Sequence, residues 1–543
     1  MSNLYKKIIA LAGVIAMLLT AVGCVERAPS TNPETQGETL PGVSSFLVPE
    51  GEKTVLELGL TGDGVTDDAP ALKALISSMS KNGGGTLYFP KGTYRLCSNV
   101  SINKNFRCVF EEGAVLTPDE KYKITLSGYV EAGAYPIVSS ATQISGALQN
   151  LQAYPQWYGA KGDGVADDSE AFKRAMLSAS EVLVPATEAG YCVNTLSLIK
   201  PFSLTGVSVG ETKPRIYAME DTKYLLEFKA SQISVSNLIF DMSRCTNKNS
   251  VAFYFDTTVS TRIRDFYFKN VDVNGAYCAV KDAKHAGGNQ VVCAYFDYMN
   301  FTNGRGTAFD VEDFWGFIQM DHCTLDFSND VNMDYPAIKV KDNAGLTMNY
   351  VKVIGPGTGS SANGHAFDFS NDIAVWINNC SAINMDGAGI KSRGSNTYFY
   401  IWDFLADNCN DFGLDILNST SFKMHGITVK GRVGQADFYQ DRDGIRVSNS
   451  SLCQLTDINV SNCPGNGLSV RSATNVAISG LKASDNTDYG YLELGSNGAT
   501  LADAEFSGNG EGNFSQGTAS AIVLNAKLAN GTVLEATEGH AVK

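Results

Sequence analysis

From about Val251 to Ala521 a small residue followed by an apolar one returns again and again. The anchors are Ala252-Phe253, Ala279-Val280, Ala308-Phe309, Ala337-Ile338, Ala366-Phe367, Gly389-Ile390, Gly413-Leu414, Gly444-Ile445, Gly467-Leu468, Gly490-Tyr491 and Ala521-Ile522. The steps between them are 27, 29, 29, 29, 23, 24, 31, 23, 23 and 31 residues. A period of that size, made of short strands and Gly/Asn/Asp turns, marks a solenoid. After each anchor the residues alternate, as in Ala308-Phe309-Asp310-Val311-Glu312, so each begins a strand with one face in and one face out. Stacked in register, such strands make an all-β parallel β-helix with an inner column of Phe, Val, Ile and Leu and aligned outward rows. A β-sandwich of unrelated short strands would not keep eleven anchors in step.

Composition agrees: among 543 residues there are 53 glycines, and 18% are charged, as in a turn-rich β architecture. A net charge of −15 argues against nucleic acid or anionic lipid as the partner of the whole surface. The first residues, MSNLYKKIIALAGVIAMLLTAVGC, join a basic start to an apolar run too short for a comfortable membrane span, so 1–23 reads as an export signal. Ala21-Val22-Gly23-Cys24 resembles a bacterial lipobox, which implies cleavage before Cys24, lipidation of its thiol and placement at the outer membrane, on the cell surface or the periplasmic face. Residues 24–45, rich in Pro, Ser, Thr, Glu and Gly, read as a flexible tether. Eleven further cysteines, without a C-x-x-C pair, read as small buried hydrophobes rather than a cysteine zinc site.

Two stretches 100 residues apart repeat one unit: Gly62-Asp63-Gly64-Val65-Thr66-Asp67-Asp68 and Gly162-Asp163-Gly164-Val165-Ala166-Asp167-Asp168, each followed by a short amphipathic segment. Glycines allow a tight turn, and an Asp at a helix start accepts orphan backbone N–H groups. The acidic runs therefore read as caps rather than metal ligands. The doubled unit resembles the opening of the pectate-lyase-like right-handed β-helix superfamily, which includes polysaccharide lyases, glycoside hydrolases and phage tailspikes. The resemblance implies a right-handed coil, with a small N-terminal β module and capping helix over 46–150 and the main, catalytic β-helix over 151–543.

Two places after each anchor stand Tyr254, Lys281, Asp310, Lys339, Asp368, Lys391, Asp415, Arg446 and Ser469. With coils ~4.8 Å apart, these form a file of alternating charge facing solvent. Two places further on are Glu312, Lys341, Ser370, Arg393, Leu417, Ser448 and Arg471. An ion ladder is the plain reading of such a file. The functional reading is a track for a polyanion. β-Elimination on a uronate needs a neutralised carboxylate, a base and an acid. Lys391, Arg393, His365 and Tyr439 are the catalytic candidates; Tyr439 lies in the insertion of a 31-residue coil. Lys339, Lys341, Arg446, Asp415 and Arg442 are the substrate-binding candidates. Lyases of the resembled superfamily often use Ca²⁺, for which Asp310, Glu312 and Asp368 are the acidic candidates, although lysines stand between them. An inverting hydrolase needs two carboxyls about 6.5–9.5 Å apart; Asp310 and Asp368, two coils apart, stand at ~9.6 Å. The β-helix polygalacturonase pattern is met only in part, by Asn363-Gly364-His365-Ala366 and Gly389-Ile390-Lys391, and its paired Asp residues are missing. A third reading is a non-catalytic glycan-binding surface protein; it would favour outward aromatic platforms, whereas Phe and Tyr fall mainly at positions expected to pack the core. The sequence expectation is a lyase acting on a uronate-containing anionic polysaccharide. Its lean is towards glycosaminoglycans of the chondroitin, dermatan or hyaluronan type over pectin-like or alginate-like chains.

Overall fold

In the coil that begins at the Ala308 anchor, strands Phe309–Glu312, Trp315–Asp321 and Thr324–Asp326 follow one another around the axis. The next coil lies on it in parallel register, Phe309 beside Ile338, Trp315 beside Ala344 and Thr324 beside Lys352. The computed structural model describes residues 46–258, 262–283, 290–312, 314–358, 361, 363–431, 442–516, 522–527 and 533–538. Among these, a short-strand sheet of 13 strands runs from Leu196–Leu198 to Gly512–Gln516, and a sheet of 25 strands takes two strands from most coils. The result is a right-handed parallel β-helix, the hand that parallel crossovers almost always take.

The corner between the second and third strands of a coil is made by a single left-handed residue. Tyr298, His322, Tyr350, Asn379 and Asp403 hold it in five successive coils, with φ between 50° and 53°, and Gly426 (67°) and Asp457 (53°) mark the same place in the next two. Asn and Asp suit that conformation because their short polar side chains bond locally. The corner after the short strand is closed from inside by a polar ladder. Phe314 N–H donates to Asn343 Oδ1 (2.6 Å), Asn343 N–H to Asp372 Oδ1 (2.9 Å) and Asp372 N–H to Asn396 Oδ1 (2.6 Å). Asp372 is fully buried, and burial raises its carboxyl from the ordinary range to about 7.

The core is the expected column. Val280, Phe309, Ile338, Phe367, Ile390, Leu414, Ile445 and Leu468 are consecutive partners and each is at most 3% exposed. Full burial of such side chains contributes about 1.5–3 kcal/mol apiece. The anchor pattern departs at its end. Ile522–Lys527 joins the 25-stranded sheet, with Val533–Glu538 antiparallel on it, while the short-strand sheet ends at Gly512–Gln516. An antiparallel strand at that point closes a solenoid end against further pairing.

Each of the doubled units opens a helix, Ala69–Ser80 and Ser169–Ser178. The first buries Ala69, Leu72 and Ile76, and the second Ala171, Phe172, Ala175 and Met176. The acidic runs are structural, with a division of labour that composition did not reveal. Asp67 and Asp167 accept the first helical N–H groups, of Ala69 (3.0 Å) and Ser169 (2.9 Å). Asp68 and Asp168 instead tie back the glycine turn, through Thr61 and Gly62 N–H in one copy and Lys161 and Gly162 N–H in the other. One hydrophobic cluster runs from Val55 to Phe514. The linking segment is packed into it, with Tyr154 and Trp157 edge to face at 5.6 Å. Among the described residues no helix is long and apolar enough to cross a membrane.

Candidate active site on the short-strand sheet

The file exists in unbroken register. Tyr254, Lys281, Asp310, Lys339, Asp368, Lys391, Asp415, Arg446 and Ser469 are consecutive Cα partners. Beside it run Glu312, Lys341, Ser370 and Arg393. What the sequence did not show is that the file has two halves. In the first, Asp310 is gripped by Lys281 and by Lys339 (2.9 Å), and Lys341 bonds Glu312. The three lysines remain 37–45% exposed. In the second half the carboxylates are roofed over rather than facing solvent: Asp368 is 5% exposed and Asp415 is 0% exposed. Around Asp415 the turns that precede the short strands bring Asp411, Phe412, Arg442 and Asp443 onto the file, and Asp368 is held by Arg393.

This enclosed half holds a dense ion network. Arg446 clamps Asp415 with two bonds of 2.8 Å. Arg442 meets Asp411 at 3.1 Å, and both guanidiniums lie over the Phe412 ring, at 4.1 Å for Arg446 and 5.2 Å for Arg442. Arg393 is bound to Asp368. Arg471 reaches Asp443 at 2.8 Å, with Ser469 donating to the same carboxylate. Lys391 differs from the other cations: its Nζ stands 3.7 Å from Asp415 and 3.8 Å from Asp411, beyond the usual hydrogen-bond range of about 2.7–3.2 Å. Burial raises the Asp411 carboxyl above its ordinary range, against the pull of Arg442 and Lys391.

His365 sits at the rim of this half, 2% exposed. Its Nδ1 accepts the Ala388 N–H at 2.9 Å, so the neutral ring carries its proton on Nε2. Burial, with Lys391 and Arg393 close by, lowers it to about 3. His365 is therefore a hydrogen-bond donor at neutral pH, through Nε2, rather than a proton acceptor.

The candidate residues thus divide. Lys391, Arg393, His365, Asp415, Arg442 and Arg446 come together. Lys339 and Lys341 lie in the exposed half. Tyr439 and Cys24 fall outside the described residues. The calcium expectation for Asp310, Glu312 and Asp368 is not supported by the geometry, because lysines or an arginine already neutralise each carboxylate. Sequence reasoning also missed Asp411, Phe412 and Asp443. They stand one or two places before an anchor, in turns, where period two gives no guide. The expectation that Phe and Tyr fall mainly in the core has an exception in Thr397–Trp402: Phe399 and Ile401 point inward, but Tyr400 and Trp402 are on the outer face of the 25-stranded sheet, their rings 5.4 Å apart.

Comparison with known proteins brackets the coil at both ends. A family described as rhamnogalacturonase A/epimerase, pectate lyase-like, matches residues 54–148, and the right-handed beta helix region matches 426–537. The first match takes in one copy of the doubled unit, and the second lies on the last coils. Alginate lyase 7 of Azotobacter vinelandii is 49% identical over 45 residues, 8% of this chain and 5% of that protein. The SPbeta prophage-derived uncharacterized protein YomE of Bacillus subtilis is 50% identical over 102 residues, 16% of each chain. The chain thus spans a small fraction of the curated relatives it matches. Among solved structures, the bacteriophage CBA120 tailspike protein 3 is 13% identical with a TM-score of 0.43, covering 69% of this chain and 57% of its own. The catalytic domain of a GH87 alpha-1,3-glucanase is 10% identical with a TM-score of 0.37, covering 67% and 66%.

Proposed function

We propose that the protein is a carbohydrate-active enzyme that binds a uronate-containing anionic polysaccharide along the short-strand sheet and cleaves it by β-elimination in the enclosed half of the file. The observation that carries this reading is the ammonium of Lys391. It is held between two buried carboxylates without a close bond to either, 20% exposed, with its donors free for an incoming anion. A uronate carboxylate is the sugar group that such a cation recognises, and its neutralisation is the first requirement for removing the adjacent proton. His365 offers Nε2–H to an oxygen of the same ring. Arg442 and Arg446, fixed by Asp411 and Asp415 and by the Phe412 face, extend the binding surface, and Tyr439 is retained as a proton-transfer candidate.

Asp411 favours one second reading. A buried carboxyl with a raised pKa is suited to hold a proton for a glycosidic leaving group, as a glycoside hydrolase requires. The two reactions leave different products. Incubation with chondroitin, dermatan, hyaluronan, pectic and alginate chains is expected to generate far-ultraviolet absorbance from an unsaturated uronate. New reducing ends without that absorbance would replace the lyase by the hydrolase, and retention on glycan with neither product would leave a binding protein. Replacing Lys391 by Arg separates its roles: partial activity identifies a charge neutraliser, and complete loss identifies the base. Export and lipidation at Cys24 complete the proposal, and Cys24→Ala is expected to release the protein from membranes.

A further inference from the structure

On the other sheet, in the coils that carry Tyr254, Lys281 and Asp310 of the file, Lys269, Asp297 and Asp321 occupy one outward column. Two carboxylates on neighbouring strands repel one another. No ion pair joins Lys269 to either among the described residues. The corner residue after Asp321 is His322, where later coils carry Asn379, Asp403 and Asp457. Its ring is held between those of Tyr298 and Tyr350, at 4.9 Å and 4.6 Å and nearly parallel to both.

One donor atom from each of Asp297, Asp321 and His322 lies within 4.8 Å of the others. Asp321 Oδ1 is shut off from solvent and accepts no hydrogen bond, although His322 Nδ1 stands only 3.1 Å away. The nitrogen and oxygen are close but not aligned as donor and acceptor. Two ligands of one ion, with bonds of ~2.0–2.2 Å, are held at about that spacing. A shut-off oxygen without a donor, a like-charged neighbour and an aromatic clamp that fixes the imidazole are together poorly explained as a hydrogen-bonded surface. They are the ordinary surroundings of a mixed nitrogen and oxygen cation site.

We propose that Asp297, Asp321 and His322 bind one divalent cation of the zinc class, which pins two consecutive coils together on a different sheet from the proposed active site. The imidazole selects against calcium and magnesium, which take oxygen ligands. The site leaves positions open to solvent, and its role is to stabilise the fold rather than to take part in the reaction.

The test uses the full-length protein stripped with chelator and titrated with Co²⁺ and Zn²⁺. One Co²⁺ per chain is expected, with ligand-field bands of a nitrogen and oxygen set, and Zn²⁺ should displace it and raise the thermal midpoint by several degrees. Asp297→Asn and His322→Ala should each weaken binding at least tenfold. His425→Ala removes another surface His–Asp pair, which has Asp457 at 3.2 Å but no third ligand among the described residues, and should leave binding intact. A thiolate charge-transfer band, unchanged binding in His322→Ala, or no saturable binding by the wild type would overturn the assignment. Because the readouts are metal content, spectrum and melting, they do not depend on whether the polysaccharide reading holds.

Discussion

The two halves of the charged file carry the same sequence pattern and are different objects. Around Asp310 the alternation of Lys and Asp is an ion ladder, half-exposed, with close bonds on both sides. Around Asp415 the same alternation is sunk beneath turns, and the carboxylates are sealed from water. Exposed pairs contribute little because water already solvates both charges. Enclosed pairs are costly to break because the surviving charge is stranded. The contrast teaches that register makes a file, while the turns that roof it make a site.

The sharpest way to break the comparison is to remove one carboxylate from each half. Asp415→Ala strands the Arg446 guanidinium and is expected to cost about 3–5 kcal/mol, read as a large fall in the denaturant midpoint. Asp310→Ala should cost under about 1 kcal/mol by the same measurement. Equal effects would mean that the halves do not differ in kind.

Activity offers the next contrast. Lys391→Ala is expected to lower turnover on the cleaved uronate polymer about 100- to 1,000-fold, comparable with the loss of one preorganised donor, or ~2.7–4 kcal/mol. Its melting should change little, since Nζ makes no close bond. Lys339→Ala, in the exposed half, should retain most turnover and show mainly a weaker apparent affinity that fades at high salt. A variant pair with equal kinetics would move the reaction off the enclosed half.

Much of this was legible beforehand. The anchors gave the coil, its period and the membership of the file, because a column of Phe, Val, Ile and Leu can be buried only if every coil keeps step. Burial of the file was not legible: it depends on Asp411, Phe412, Arg442 and Asp443, which belong to turns of varying length and follow no period. The clustered donors Asp297, Asp321 and His322 were equally hidden, since their meeting depends on which outward positions of the 25-stranded sheet fall beside a left-handed corner. The outward positions Tyr400 and Trp402 were obscured because every residue from 398 to 402 is aromatic or apolar, so the period-two contrast that tells inward from outward is lost there.

Acid and alkali should separate two buried groups near the enclosed half. His365 is lowered from 6.5 to about 3, so its contribution is complete above pH 6.5 and is lost as pH falls through that window. Asp372 is raised from 3.8 to about 7; a carboxyl raised by folding favours the fold in its protonated form, so stability is greatest below 3.8 and is lost as pH rises towards 7. Asp372→Asn should remove that loss, about 2 kcal/mol between pH 5 and pH 7, from a series of melts, whatever its effect at a single pH. A wild type and variant with parallel profiles would show that the polar ladder supplies enough N–H donors to keep Asp372 ionised.

The smallest effect tests the exposed half by itself. Lys281 reaches Asp310 from one side while Lys339 reaches it from the other at 2.9 Å, so deleting Lys281 leaves the carboxylate with a partner. Its own side chain is 43% exposed and keeps water in either state. Lys281→Ala should therefore cost no more than about 0.5 kcal/mol, less still at high salt. The double variant Lys281→Ala/Lys339→Ala should cost more than the sum of the singles, because only then does Asp310 lose both cations. Strict additivity in that cycle would mean that the two lysines act independently and that the alternation in this half is no ladder, only a set of charges that share a column.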